Sequence, residues 1–170
     1  MNYRIERGVP AHAERLRAIE RASSVHFREF GMTDVADHEP TPASILEDRA
    51  RDGFLYVALL ADTVAGFLIW SPMDGQAYIE EVSVDPAHAG HKLAAGMIDR
   101  LGEDVRGRYP AITLSTFRHV PWNGPYYATL GFEEFPRDQA GPEHGEAWQE
   151  QADAGLDMSK RLFMIRQVPT

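Results

Sequence analysis

The stretch from residue 76 to residue 105 changes from a strand-like to a helical spacing of apolar side chains. Residues 76–86, QAYIEEVSVDP, alternate, which predicts a strand with Tyr78, Glu80, Val82 and Val84 on one face and Ile79, Glu81 and Ser83 on the other. After Gly90, apolar residues recur at helical spacing, at Leu93, Met97, Ile98, Leu101 and Val105. A strand that runs directly into an amphipathic helix predicts a sheet with helices packed on it.

The rest of the chain predicts strands and helices on both sides of this stretch. Upstream we expect a strand at 3–7, a helix from Pro10, a loop or broken helix over 23–40, a helix capped by Thr41 that ends near Gly53, and a hairpin over 54–70. Downstream we expect strands at 111–117, 132–135 and 161–168, a short helix within 123–132, and a polar segment over 137–157. The order predicts a single α/β domain, residues 1–170, around a central mixed sheet.

The turn between the strand and the helix, HAGHKLAAG at 88–96, combines a glycine with groups that can carry positive charge. The first amides of a helix lack partners within it and attract anions, phosphate above all. Gly90 permits close approach to the backbone, and His88, His91 and Lys92 add polar or cationic side chains. The turn favours an anion site, with an ordinary strand-to-helix turn as the alternative. It lacks the glycine spacing of a nucleotide P-loop or a dinucleotide fingerprint.

The composition argues against several classes of protein. The chain has no cysteine, so disulfides, thiolate metal sites and a cysteine nucleophile are excluded, and its seven dispersed histidines predict no metal site. The net charge of −9 argues against general nucleic-acid binding. No apolar run approaches the ~20 residues of a membrane span, and the N-terminus lacks the apolar core of a secretion signal. We therefore expect a cytoplasmic protein without nucleic-acid or membrane partners.

Two motifs carry a resemblance to a known family. They are VSVDPAHAGHKLAAGMI at 82–98 and WNGPYYATLGF at 122–132, and a single predicted strand separates them. With these motifs and its order of elements, the chain resembles the GNAT superfamily of acyl-CoA-dependent N-acyltransferases over essentially its whole length. The resemblance implies a mixed, mostly antiparallel α/β sheet, splayed at its middle strands, with helices on both faces.

The two signatures of the family are kept to different degrees. The second signature, Y-x-x-L-G-F, is complete, as Tyr127, Leu130, Gly131 and Phe132. The first is kept in part, at Val84, Pro86 and Ala94. Ala89 stands where the family has a basic or amide residue, and Lys92 stands where it has the central glycine. These departures put the detailed phosphate geometry in question.

The resemblance implies acetyl-CoA as co-substrate and direct transfer of its acetyl group to an amine in a ternary complex. The cofactor-binding positions it implies are Val82, Val84, Ala89, Gly90, His91, Lys92, Leu93, Ala94 and Asn123. The two valines would act through their main chain, with one amide aimed at the developing oxyanion. The residues Asn-Gly-Pro at 123–125 also predict that the Asn123 side chain caps the helix that carries Tyr127.

The resemblance also implies two residues for proton transfer. Tyr127 matches the tyrosine that many members use as general acid toward the departing thiolate. Glu80 lies two residues before Val82 on the same predicted strand face and is the candidate base, directly or through water. His119 is the competing base.

The acceptor and the assembly are less constrained. A primary amine of a small molecule or peptide is expected, and the acidic surface mildly favours a cationic acceptor. The alternative is a non-catalytic acyl-CoA-binding sensor or regulatory domain of the same fold, with Ala89 and Lys92 marking an altered cofactor loop. The protein is expected to be a monomer or a homodimer.

Overall fold

A computed structural model describes residues 2–170 of the chain. The strands are β1 (Tyr3–Arg7), β2 (Leu55–Leu60), β3 (Thr63–Met73), β4 (Gln76–Val84), β5 (Ala111–Phe117), β6 (Glu133–Phe135) and β7 (Arg161–Gln167). The α-helices are α1 (Ala13–Ser24), α2 (Thr33–Ala36), α3 (Ala43–Arg51), α4 (Leu93–Val105), α5 (Gly124–Thr129) and α6 (Pro142–Asp153). Short 3-10 helices occur at Pro10–His12, Val25–Phe30, Pro86–His88, Arg137–Gln139 and Met158–Lys160.

The strands are hydrogen-bonded in the order β1-β2-β3-β4-β5-β7-β6. The pairs β1/β2, β2/β3, β5/β7 and β6/β7 are antiparallel, and β4/β5 is parallel. The predicted mixed, mostly antiparallel sheet is therefore confirmed. The strands that we predicted by alternation all form, because period-two patterns with turn residues at their ends are local signals.

The chain divides into two compact units. The first unit contains the residues up to Trp70 together with Glu80–Glu103, and the second contains Ser71–Ile79 together with Asp104–Thr170. The interpretation of 1–170 as one domain stays a prediction.

The core of the first unit lies between helices α1 and α3 and one face of strands β2 and β3. Its members are Ala13, Leu16, Ile19, Leu46, Leu55, Val57, Leu59, Val64, Phe67 and Ile69. Each fully buried Leu or Ile side chain contributes roughly 2 kcal/mol to folding. On the opposite face, the Arg100 guanidinium of α4 lies 5.8 Å from the centre of the Tyr56 ring. In this unit, helices therefore cover both faces of the strands.

The segment between α1 and α3 is a broken helix, as predicted, made of the 3-10 helix at Val25–Phe30 and the short α2. The predicted cap of α3 is wrong. Pro42 stands at the N-cap and no side chain caps the helix. The hydroxyl of Thr41 instead donates a hydrogen bond of 2.7 Å to Glu20 on α1. A capping hydroxyl would accept from a backbone amide of α3, whereas the Thr41 hydroxyl is oriented toward α1 by donating to the ionisable group of Glu20.

The core of the second unit surrounds α6, a helix that we had interpreted only as a polar segment. His144 and Trp148 are its buried residues. They lie four positions apart and form so narrow an apolar stripe that periodicity does not reveal it. Tyr78, Phe135, Trp148 and Phe163 form the aromatic cluster against which α6 packs.

Candidate active site

The connection from β4 to α4 begins with a fixed carboxylate in the first unit. Asp85 Oδ1 accepts a 3.0 Å hydrogen bond from the amide of Ala87, and Asp85 Oδ2 accepts a 2.6 Å bond from Arg15 Nη2. The Ala87 amide, then the Arg15 guanidinium and the nearby His88, hold the pKa of Asp85 below its usual value against the effect of burial. The ionised carboxylate thus fixes the turn at Pro86–His88.

The residues between this turn and α4 are exposed, and two of them take a left-handed backbone. Gly90 has φ of 86° and Lys92 has φ of 58°. A left-handed conformation costs a side-chain-bearing residue about 1 kcal/mol, and glycine adopts it freely. Lys92 therefore takes a backbone conformation that glycine adopts without strain.

Helix α4 presents its first amides next to this exposed loop. The amide of Gly96 donates to the carbonyl of Lys92 at 3.0 Å, the first bond at this end of the helix. The amides before Gly96 have no acceptor within the helix. Leu93 is buried, and Ala94 is partly buried. The side chains at the helix start thus face the protein while the preceding loop faces solvent, an arrangement that suits an anion at the amides.

Two histidines of this loop contact the first strand. The Tyr3 hydroxyl lies 3.0 Å from His88 Nδ1, and the Tyr3 ring centre lies 5.1 Å from that of His91. Tyr3 thereby limits where both imidazole rings can lie beside the start of α4.

The strand positions Val82 and Val84 lie where β4 packs against β3. The Asp85 amide donates to the Ala65 carbonyl at 2.8 Å. A Cβ on Gly66 would lie 3.0 Å from the Ser83 carbonyl oxygen and 3.3 Å from Val84 Cγ2. Gly66 thus allows the close approach of the two strands. The ladder from β4 to β5 joins residues 77–79 to residues 112–114, so it accounts for only the first part of β4.

Glu80 is held by an arginine that sequence reasoning did not identify. Arg49 Nε donates to Glu80 Oε1 at 2.8 Å, and Arg49 Nη2 donates to Glu80 Oε2 at 3.0 Å. The two side chains are 22% and 21% exposed, so the pair is only partly screened by water. Arg49 lies 31 residues before Glu80, and no local pattern links the two positions.

A second cluster that the sequence did not reveal surrounds the buried Glu20. This carboxylate accepts from the Thr41 amide, the Thr41 hydroxyl and His38 Nε2. His38 Nδ1 lies 2.6 Å from the Val35 carbonyl. The hydrogen bond to Glu20, together with the Val35 carbonyl and the charges of Glu20 and Glu81, raises the pKa of His38 to about 9 against the effect of burial.

In the second unit, Tyr127 is buried on α5 among aromatic rings. Its ring centre lies 5.7 Å from that of Tyr126 and 5.8 Å from that of Phe132. Gly131, with φ of 91°, follows the end of the helix in a left-handed conformation. A Cβ on Gly124 would lie 2.9 Å from the Arg118 carbonyl oxygen, so glycine allows α5 to begin against the end of β5.

The other predicted positions of the second unit lie near the start of α5. Asn123 stands at the N-cap, and its carbonyl accepts from the Tyr127 amide at 2.9 Å. The Asn123 side chain makes no capping hydrogen bond, so the expected side-chain cap is wrong. His119 is exposed in the loop after β5. The first unit thus contains Glu80, Val82, Val84 and residues 89–94, and the second contains Asn123 and Tyr127.

Among residues 2–170, no three His, Asp or Glu side chains are grouped so that they could hold a metal ion. No helix in the same range combines the length and apolar character of a membrane-crossing segment.

Comparison with known proteins identifies the family. Residues 16–132 match the model of the acetyltransferase (GNAT) family. The fold also matches the PaiA N-acetyltransferase of Thermoplasma acidophilum in complex with coenzyme A, with a TM-score of 0.74, 12% identity and coverage of 98% of this chain and 99% of that one.

Two further solved structures share the fold. The ribosomal-protein-S18-alanine N-acetyltransferase of Escherichia coli matches with a TM-score of 0.68 and 12% identity, over 99% of this chain and 96% of that one. The N-acetylglutamate synthase of Neisseria gonorrhoeae, complexed with coenzyme A and N-acetyl-glutamate, matches with a TM-score of 0.75 and 13% identity, over 100% of this chain and 36% of that one. The fold and the family match agree, and this chain belongs to the acetyltransferase (GNAT) family.

Proposed function

We propose that this protein is an N-acetyltransferase that moves an acetyl group from acetyl-CoA directly to a primary amine in a ternary complex. The observation that carries the proposal is the exposed left-handed loop that leads into the first amides of α4, in a chain that belongs to the acetyltransferase family. This loop fits a diphosphate: backbone amides lie at a helix start, two residues have positive φ, and a lysine is exposed. Solved structures of the same fold carry coenzyme A.

The proposed cofactor contacts divide between main chain and side chain. Gly90, Leu93 and Ala94 offer backbone amides, and His91 and Lys92 offer positive or hydrogen-bonding side chains beside them. Ala89, whose own amide donates to the Pro86 carbonyl at 3.2 Å, is proposed to border the diphosphate through its exposed side. Val82 and Val84 offer main-chain groups of β4, and an amide there would stabilise the oxyanion that develops on the acetyl carbonyl. Asn123 is the proposed contact from the second unit.

Two residues are proposed to move protons. When bound, acetyl-CoA supplies the thioester whose carbon–sulfur bond breaks as the carbon–nitrogen bond forms. Glu80 takes a proton from the acceptor ammonium, directly or through water, so that the nitrogen has a lone pair for attack. Tyr127 gives its hydroxyl proton to the thiolate sulfur. His119 is the alternative base.

The acceptor is proposed to be a primary amine of a small molecule or peptide. The names of the solved relatives include a ribosomal-protein alanine and N-acetyl-glutamate, which supports amino groups of this kind. The net charge of −9 favours an acceptor that carries positive charge. We also propose a cytoplasmic monomer or homodimer without nucleic-acid or membrane partners.

A non-catalytic acyl-CoA sensor is the second candidate function. The observation that favours it lies in the cofactor loop, where Ala89 and Lys92 stand in place of the basic or amide residue and the central glycine of the family's first signature.

Isothermal titration with acetyl-CoA tests the cofactor site. Saturable one-site binding is expected, with affinity lowered about tenfold or more in Lys92→Glu because the substitution places a negative charge beside phosphate. Glu47→Lys, a charge change on α3 away from the loop, serves as the control and should bind like the unsubstituted protein. Absence of binding at millimolar acetyl-CoA would contradict the proposal. Equal binding by Lys92→Glu would remove the loop from the site.

A further inference from the structure

Glu80 is oriented by one side chain of the first unit, the guanidinium of Arg49. The two hydrogen bonds, at 2.8 and 3.0 Å, join two guanidinium nitrogens to two carboxylate oxygens. Such a two-point pair fixes the plane of the carboxylate as well as its position. A carboxylate has about four lone-pair directions, so the pair leaves one on each oxygen for another partner.

The pair does not hold α3 in place by itself. The carbonyl of Arg49 accepts from the Phe54 amide at 2.8 Å, so the main chain of this residue is fixed independently of its side chain. Leu46, one turn earlier, is 1% exposed in the core between α1, α3 and the strands. Removing the guanidinium should therefore leave the helix packed and chiefly release the Glu80 carboxylate.

We propose that Arg49 is a positioning residue for acetyl transfer, an inference that rests on the proposed function with Glu80 as base. Arg49 holds the Glu80 carboxylate in one orientation, with the remaining lone pair of an oxygen directed for proton removal. The proton leaves the acceptor ammonium for Glu80, directly or through a water. The freed nitrogen lone pair forms the carbon–nitrogen bond as the carbon–sulfur bond breaks, and the leaving thiolate receives the proton of Tyr127. The second proton of the nitrogen leaves through solvent, which also restores the Tyr127 hydroxyl. Arg49 itself touches neither substrate.

Lysine could not reproduce the two hydrogen bonds that Arg49 donates to the Glu80 carboxylate. An ammonium is a point charge on a flexible stem and cannot hold both oxygens in one plane. A positive charge alone is therefore insufficient to orient the Glu80 carboxylate, and Arg49→Lys should retain only a part of the kcat that Arg49→Ala loses. Arg51 on the same helix is the matched control. It is 59% exposed and pairs with Glu47 and Asp48 of its own helix.

The test measures kcat and both KM values for Arg49→Ala, Arg49→Lys, Arg51→Ala, Arg51→Lys and Glu80→Gln. In Arg49→Ala we expect kcat to fall roughly 10- to 100-fold, as for a displaced catalytic group, with an unchanged KM for acetyl-CoA. Arg49→Lys should fall between Arg49→Ala and the unsubstituted protein, and both Arg51 variants should keep their kcat. Added ethylguanidinium should raise kcat in Arg49→Ala but not in Arg51→Ala. Acetyl-CoA titration of each variant checks that it is folded.

The outcomes separate this inference from the proposed function. If the unsubstituted protein turns over and Arg49→Ala keeps its kcat within twofold, or gains, the positioning role is wrong and acetyl transfer stands. Unchanged kcat in Glu80→Gln would also overturn it, because Arg49 would then have no base to orient. If the unsubstituted protein acetylates no amine, both proposals are overturned together. A kcat loss in Arg49→Ala that ethylguanidinium does not reverse would indicate a structural role only.

Discussion

Each of the two units contains a cluster of a histidine, a carboxylate and a threonine, but the two histidines differ in how many ring protons their partners require. In the first unit, His38 lies between Glu20 Oε2 and the Val35 carbonyl, and both of these groups can only accept. In the second unit, His144 Nδ1 lies 2.8 Å from Asp74 Oδ2, and His144 Nε2 lies 2.8 Å from the Thr113 hydroxyl. A hydroxyl can donate as well as accept, so one ring proton satisfies His144.

The two histidine side chains also differ in their exposure to solvent. The His38 side chain is 40% exposed, whereas that of His144 is fully buried, with the rings of Tyr78, Phe135 and Phe163 edge-on around it. In the first unit the buried charge is the carboxylate of Glu20, and the positive charge reaches solvent. In the second unit the histidine is sealed. The first cluster should therefore respond to pH through His38, whereas the second should act through the packing of His144 and respond to pH through Asp74.

Replacing His144 should have the largest effect on stability. His144→Ala leaves a cavity and removes the partner of the fully buried Thr113 hydroxyl, so we expect the free energy of unfolding to fall by about 3 to 4 kcal/mol. Urea unfolding measures it. His119→Ala, at an exposed position, should stay within about 0.5 kcal/mol of the unsubstituted protein. A loss below about 1 kcal/mol for His144→Ala would show that the sealed cluster contributes little.

Replacing Glu20 should rank second. Glu20→Gln keeps the shape of the side chain but turns an amide group toward donors that need an acceptor, so we expect a loss of about 2 to 3 kcal/mol. Denaturant unfolding of Glu14→Gln, an exposed carboxylate on the same helix, provides the control and should show little change. Equal losses of unfolding free energy in Glu20→Gln and Glu14→Gln would show that the buried carboxylate contributes no more to stability than a surface one.

The pH dependence from His38 should be smaller. Its pKa is raised to about 9 in the folded protein, so its stabilisation is fully present below about pH 6.5 and is lost as the pH rises through 9. Because the imidazole is partly exposed, we expect on the order of 1 kcal/mol. The difference in unfolding free energy between the unsubstituted protein and His38→Gln, measured from pH 6 to pH 10, should shrink above pH 9. A constant difference would contradict a charged His38.

The second cluster should show its pH dependence on the acid side. Burial raises the pKa of Asp74, but hydrogen bonds from the His144 amide and ring and from the Glu143 amide outweigh it and hold the pKa below its usual value of 3.8. Its stabilisation is present above that value and is lost as the pH falls through the folded-state pKa. Comparing unfolding of the unsubstituted protein and Asp74→Asn between pH 5 and pH 2 measures this. Growth of the difference toward low pH would contradict the assignment.

Both clusters lie outside what the sequence reveals, for the same physical reason. Strand β4 and helix α4 were predictable because the spacing of apolar side chains changes between neighbouring residues of the chain. The bonds from Glu20 to Thr41 and from Asp74 to His144 join residues 21 and 70 positions apart. Local rules were even misleading at Thr41, whose hydroxyl donates to Glu20 on another helix and does not accept from an amide of α3.

In the candidate site, too, local features were predictable and contacts between distant residues were not. The positions at Lys92 and Gly90 could be placed at a helix start from their order in the chain, and the structure adds their left-handed backbone. Arg49 could not be found, because its partner Glu80 is distant in sequence and an arginine on a helix is usually solvated. The roles of Glu80 and Tyr127 stay predictions until turnover is measured.

Turnover with acetyl-CoA and a panel of primary amines tests the central claim most directly. The protein has no cysteine, so a thiol reagent reports only the coenzyme A that is released. We predict thiol release that depends on both substrates, an N-acetylated product by mass spectrometry, no acetylated protein, and a loss of kcat in Tyr127→Phe. Binding of acetyl-CoA without thiol release or product across the panel would contradict the account and would favour a sensor.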